Sequence, residues 1–349
     1  MTQLTTTSSS TRNKRAARTL GLAFALTAIP ASAPLFGCDT GVFAANTTIG
    51  VMNRASPGVQ RMRDPEIVES GFPATIQQME GLLEIKPDDH VLRSMMGRSY
   101  GSFGYGFLEN RYEEAQLSDD ATEDDIEHLR ERASRAYVRG REVSIQGLDI
   151  IRPEGGGLLA VQTQGYEPFV THVSGFSDPD RDAPLLFWAA YNWVRYINLH
   201  RDDMSAIADL PYVTALAERA HELNPEFMDY APVALRAGLM AAAPPALGGR
   251  PADAKVELDR AIELTQRRNL TYLLTEAQLV AVPLQDRALF QSLLEEILRF
   301  DVDSHPDQRI PNLLAQTRAR RYLDQIDDLF APADEPMEES TDETSIPST

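Results

Sequence analysis

Residues 247–264, LGGRPADAKVELDRAIEL, constrain this chain more than any other stretch. Leu247-Gly248-Gly249 reads as a turn, because glycine enters the left-handed region without steric cost. Pro251 then falls where a first-turn proline belongs, since its missing N–H would have no helical partner there. Ala254, Leu258, Ala261 and Ile262 recur at i, i+4, i+7 and i+8, which is one face of a helix. Two of the four are alanine, so a neighbouring helix can come close. A lone amphipathic surface helix would show the same period. What separates the two readings is whether the pattern returns elsewhere.

It does return. Residues 211–224 (PYVTALAERAHELN) and Pro225 place Ala217, Ala220 and Pro225 at the same small, small and closing-proline positions. Ala220 and Ala261 lie 41 residues apart, against about 34 in a tetratricopeptide repeat. The insertion is readily placed in 241–249, AAAPPALGG. After the turn Lys86-Pro87-Asp88-Asp89, Gly97 and Tyr100 take the glycine and tyrosine positions of another repeat. The remaining patterns are helical too. A weak helix over 66–85 is interrupted near Gly71 and Pro73. The helix over 91–111 carries Gly97, Gly101 and Gly104 on one face, with Tyr100, Phe103 and Phe107 as a stripe beside it. An acidic loop over 117–125 ends in Thr122, a helix-start residue. A long helix over 126–148 turns Leu129, Ala133, Ala136, Tyr137 and Gly140 inward. Residues 158–183 read as irregular, and three helices follow near 271–284, 287–300 and 309–330. No strand pattern emerges between 64 and 330. The expected fold is all-α, a helical array of TPR-like antiparallel helix pairs.

The helix over 184–199 (PLLFWAAYNWVRYINL) is apolar nearly all round, which marks a buried helix. It nevertheless sets Asn192 and Arg195 beside Trp188, with Trp193 opposite. Both polar groups then need partners or a wet cavity.

The N-terminus reads as an address. Residues 12–18 are basic and 20–29 apolar, a signal peptide's two regions, too short to span a bilayer. Ala31-Ser32-Ala33 offers one cleavage site, although Pro34 after the cut disfavours it. Leu35-Phe36-Gly37-Cys38 offers a lipoprotein box, and it accounts for the only cysteine. Lipidated Cys38 would anchor the chain, since each buried CH₂ contributes about 0.8 kcal/mol. Residues 1–37 are then the signal, 38–63 a polar tether, 64–330 the helical domain and 331–349 a disordered acidic tail. Four of the 33 basic residues and no acidic ones precede Cys38, leaving 29 basic against 52 acidic. That balance disfavours nucleic acid and a broad anionic membrane surface.

From about residue 184 to 330 the chain resembles the T-component family of TRAP transporters, periplasmic lipoproteins of TPR-like helices. The likeness rests on Pro184-Leu185-Leu186-Phe187-Trp188 with Trp193, and on Ala242-Ala243-Pro244-Pro245. It rests also on Leu247-Gly248-Gly249 with Ala254 and Ala261, on Gln285-Asp286-Arg287 with Phe290 and Leu294, and on Asn312, Ala315, Arg318 and Ala319. Residues 100–137 fit the family's earlier helices. The segment 155–183 is longer and more Gly-rich than the resemblance implies, and the tail 331–349 is an addition. The resemblance implies a non-enzymatic accessory protein that associates with a periplasmic substrate-binding protein and helps convey a small organic or hydrophobic ligand. Self-association into a homo-oligomer is compatible with it, as is a cavity through the array. Its candidate liners here are Tyr100, Phe103, Phe107, Trp188, Asn192, Arg195 and Tyr196.

Nothing in the chain points to catalysis, a cofactor or a metal. No G-x-x-x-x-G-K-[ST], H-E-x-x-H or EF-hand loop occurs, and the six histidines lack ligand spacing. Asp286 and Arg287 read as a helix start. The rival from another class is a TPR lipoprotein scaffold of an envelope-assembly complex, gripping peptide segments in an open polar groove.

Overall fold

In the computed structural model, which describes residues 40–241 and 249–330, helices follow one another and no strand occurs among these residues. The first half contains α1 (Thr40–Gln60), α2 (Pro65–Ile85), α3 (His90–Phe103), α4 (Glu109–Ala115), α5 (Glu123–Ile151), α6 (Leu158–Gln162), α7 (Tyr166–Ser174) and α8 (Asp182–Leu199). The second contains α9 (Met204–Ile207), α10 (Leu210–Leu223), α11 (Phe227–Ala241), α12 (Pro251–Leu264), α13 (Leu270–Glu276), α14 (Arg287–Arg299), α15 (Arg309–Asp324) and α16 (Ile326–Leu329). A π-helical turn, Gly104–Leu108, joins α3 to α4, and another, Ala277–Ala281, extends α13. Helix starts follow side-chain chemistry. Asp64, Asp89, Asn269 and Asp286 each accept an otherwise unpaired first-turn N–H, and Thr122 with Asp125 closes a reciprocal capping box.

The helices make two layers. An inner set, α3, α8, α11, α13 and α15, alternates with an outer set in which α5 packs on α3 and α8, and α10 on α8 and α11. Likewise α12 packs on α11 and α13, and α14 on α13 and α15. Finally α15 meets α1 and α2, so the array closes on itself. Small residues set the close approaches. A Cβ at Gly97 would lie 2.3 Å from Ser144 Oγ, and one at Gly140 would lie 2.6 Å from Asn192 Oδ1. Asn192, fully buried, fills this seam and donates from Nδ2 to the carbonyls of Gly97 (3.0 Å) and Trp188 (2.8 Å).

Ala217, Ala220, Ala254 and Ala261 are all fully buried. Ala261→Leu therefore forces extra methylenes into a filled contact, at a cost of about 1–3 kcal/mol. Thermal melting followed by circular dichroism should fall by several degrees. An unchanged melt would show that this face of α12 has room to spare.

Four expectations need correction. The segment 38–63, expected as a tether, is helical from Thr40, because Ala45 and Ile49 bury against α2 and α3. Arg309 Nη1 also donates to the Arg61 carbonyl, and Arg63 pairs with Asp303 at 2.7 Å. Helix α2 runs unbroken through Gly71 and Pro73. A mid-helix proline removes one ladder bond, but buried Val68, Met79, Leu82 and Leu83 hold both halves. Residues 158–183 are not irregular: α6 and α7 form there, each led by a glycine at positive φ, Gly157 (91°) and Gly165 (110°). Buried Phe169 and Val173 pin this segment in the core that includes α10. The final helix stops at Asp324 and restarts as α16. Cys38, the residues before it, Leu247, Gly248 and the tail 331–349 lie outside the described residues.

Candidate ligand cavity

A half-open cavity of about 1690 Å³ lies along the inner layer. Its walls come from α1, α2, α3, α4, α8, α11, α13 and α15, while α5, α7, α10, α12 and α14 contribute nothing to it. The lining is largely apolar, with Phe72, Phe107, Phe187, Trp188, Tyr191 and Leu314 among its surfaces. From α3 through the turn after it to the start of α4, Val91, Met95, Arg98, Ser102, Tyr105 and Glu109 all line it. Their spacing alternates four and three, which keeps them on one face.

One end of the cavity is ionic. The Arg195 and Arg318 guanidinium carbons stand 4.5 and 3.9 Å from the centre of the Tyr105 ring, a cation–π arrangement. Arg195 donates to both oxygens of Glu109, which also accepts from Tyr137 Oη at 2.5 Å. Burial pulls the Arg195 guanidinium down to about 10, so it stays charged at neutral pH. Arg318 Nε donates to Glu113 at 3.0 Å, and Arg321 and Tyr322 donate to the same carboxylate. Burial opposes the charge on Arg318, but Tyr105 and Glu113 more than offset it and raise its pKa. Three guanidinium groups thus share two carboxylates, and the cluster keeps a net positive charge.

A strained turn borders the far wall. Met228, Asp229 and Tyr230 all have positive φ (47°, 60° and 66°), rare for residues with side chains. Asp229 is fixed from two sides: its carbonyl accepts from Tyr272 Oη at 2.6 Å, and its carboxylate from Gln308 at 3.2 Å. Met228 and Asp229 both line the cavity.

Of the liners expected from sequence, Phe107, Trp188 and Arg195 border the cavity. Arg195 also has its carboxylate, so pairing and cavity lining coexist. The other four do not border it. Tyr100 donates to Glu80 at 2.7 Å. Phe103 stacks on Phe72, centroids 5.5 Å apart. Asn192 lies in the glycine seam. Tyr196 stacks on His200 at 4.2 Å, beneath Arg141 of α5. The residues missed were Arg98, Ser102, Tyr105, Glu109 and Arg318 as cavity liners. The four-three spacing of the first four is visible in the sequence, but it does not by itself distinguish a cavity face from the aromatic stripe beside it.

The remaining motif residues hold the array together. Trp193 is buried and donates from Nε1 to Asp209 at 3.2 Å. Asn312 bridges the start of α13, accepting from Leu270 N–H (3.0 Å) and donating to the Arg268 carbonyl (2.8 Å). Asp286 caps α14, and Arg287 pairs with Asp327. Among the described residues no cluster of His, Cys, Asp or Glu could hold a metal ion. No described helix is long and apolar enough to cross a membrane.

Comparison with known proteins places this architecture. A protein of Treponema pallidum (strain Nichols), itself described only as uncharacterized, is 26% identical over 272 residues, covering 76% of this chain and 80% of the relative. The TRAP transporter T-component family matches residues 61–330, nearly the whole described array, and the chain belongs to that family.

Proposed function

We propose that this accessory component of a TRAP transport system is a lipid-anchored periplasmic protein. It associates with a periplasmic substrate-binding protein and holds a small organic or hydrophobic ligand in its cavity during transfer. The observation that carries this reading is the half-open, largely apolar cavity of about 1690 Å³ with one ionic end. Binding sites for small molecules are usually concave, mostly apolar and supplied with a few placed polar groups. A scaffold gripping extended peptide would need an open polar groove, whereas these helices close on one another.

Nile red, a neutral apolar dye, tests the cavity directly. Its fluorescence should rise saturably on binding the full chain, and the bound dye should promote or weaken association with the purified substrate-binding protein. Absence of both effects would remove the ligand-carrier reading. The anchor is tested separately in a Gram-negative host: wild type should partition with membranes and Cys38→Ser should not. Equal attachment of both would eliminate lipidation at Cys38.

A further inference from the structure

Arg98 differs from the other cations of the cavity. Arg195 and Arg318 each have a carboxylate within bonding distance, and Arg181 pairs with Asp182. Arg201, also on the lining, is exposed. Arg98 is partly buried and meets only neutral acceptors. Its Nη1 lies 3.5 Å from Ser56 Oγ, and its Nη2 donates at 2.5 Å to the Gln60 amide oxygen in the orientation that satisfies both groups. No acidic side chain among the described residues pairs with it. Burial alone lowers its pKa, with no neighbouring charge to offset the loss of water.

A guanidinium drawn from water without a counter-charge is unfavourable, and proteins seldom keep one without compensation. The cavity lining also includes the hydroxyl groups of Ser56, Ser99 and Ser102 and the thioethers of Met52, Met79 and Met95, which share one hydrophobic cluster. Hydroxyls can donate to an anion, and thioethers suit a flexible apolar chain. Arg98 and Tyr105 are seven residues apart on one helical face, so about 10 Å of wall separates this cation from the ionic end.

We infer that Arg98, with Ser56 and Gln60, forms an anion subsite that takes the singly charged head of an amphiphile whose apolar body lies along the methionine- and phenylalanine-lined wall. This rests on the reading of the cavity as a ligand site and adds the charge of its ligand. A single negative charge supplies the counter-ion that Arg98 lacks. At the ionic end, by contrast, Glu109 and Glu113 bond every guanidinium group, so the excess positive charge there sits on cations that each have a carboxylate partner.

Isothermal titration of the full chain with dodecanoate and with dodecanol, which share a tail and differ in charge, tests the subsite. Dodecanoate should bind about tenfold tighter or more, the scale of one charged hydrogen-bonded contact. Arg98→Met should abolish that preference, leave dodecanol binding within about twofold, and melt at or above the wild-type temperature, because an uncompensated buried charge has gone. Arg98→Gln, which keeps a polar tip, provides a second uncharged variant if the methionine form does not fold. Arg98→Lys should retain part of the preference, as a point charge without the planar fork. Equal binding of the two ligands by wild type, or an undiminished preference in the uncharged variants, would overturn the anion subsite and leave the cavity reading standing. Binding of neither ligand would overturn both.

Discussion

Glu113→Ala should destabilise the protein by about 3–5 kcal/mol, the cost of breaking a buried ion pair from one side. Glu113 accepts from Arg318, Arg321 and Tyr322, and the Arg318 side chain is only 2% exposed. Removing the carboxylate strands two guanidinium groups at once. It also weakens the link between α4 and α15, elements about 200 residues apart in the chain and both part of the cavity wall, leaving there the bonds from Arg321 to Asn110. Urea unfolding followed by circular dichroism measures the loss. Arg267→Ala is the control, since the Arg267–Glu296 pair is 47% and 38% exposed and solvent screening limits such pairs to about 0–1 kcal/mol. If the two variants lose equal stability, cavity water already solvates Arg318 and the ionic end is not a structural clasp.

The fold was legible where one physical cause dominated. Ala217, Ala220, Ala254 and Ala261 announced helix contacts because a small side chain at helical spacing has few other uses, and all four are buried. Thr122 and Asp286 announced helix starts because their oxygens match free N–H groups, and both cap as expected. The misreadings came where tertiary packing overrides local preference. Residues 38–63 look polar, yet Ala45 and Ile49 recur four apart and suffice to dock α1. Gly71 and Pro73 look like breakers, yet buried residues on either side hold the helix. Residues 158–183 read as irregular, yet Gly157 and Gly165, both at positive φ, each lead into a helix.

The candidate site was legible only in part, for a geometric reason. Tyr100, Phe103 and Phe107 share a face of a regular helix, and the π-helical turn at Gly104–Leu108 inserts extra backbone that rotates Phe107 relative to the others. Phe103 and Phe107 both pack on Phe72, and Phe107 borders the cavity while Phe103 does not. On α8 the cavity side runs through Phe187, Trp188, Tyr191 and Arg195, and Asn192 is turned into the seam between α3 and α5. Sequence shows that a buried asparagine needs a partner but not that the partner is a glycine carbonyl 95 positions away. Arg98 gave no signal at all: an arginine on an amphipathic helix is ordinarily solvated, and only the enclosing α1 makes it otherwise.

The two tryptophans of α8 should separate fold from ligand binding. Trp193 is 2% exposed and lies away from the cavity, bonded to Asp209 and covered by Arg141, whose guanidinium carbon is 5.0 Å from the ring centre. Trp193→Ala leaves a closed void and an unpaired Asp209 oxygen, so the expected loss is about 3–5 kcal/mol. Trp188 packs edge-on against Phe187 and Tyr191, centroids 4.9 and 5.4 Å away, and borders the cavity. The space vacated by Trp188→Ala opens onto an existing chamber instead of forming a sealed void, so less stability is lost for the same atoms removed. The ligand loses one of its largest apolar surfaces in exchange. Nile red affinity should therefore drop by about tenfold in Trp188→Ala, the scale of one lost aromatic contact, and hold near the wild-type value in Trp193→Ala under conditions where that variant stays folded. The opposite ordering, with Trp193 governing the dye and Trp188 the melt, would mean that the apolar ligand binds outside the cavity, between the outer helices.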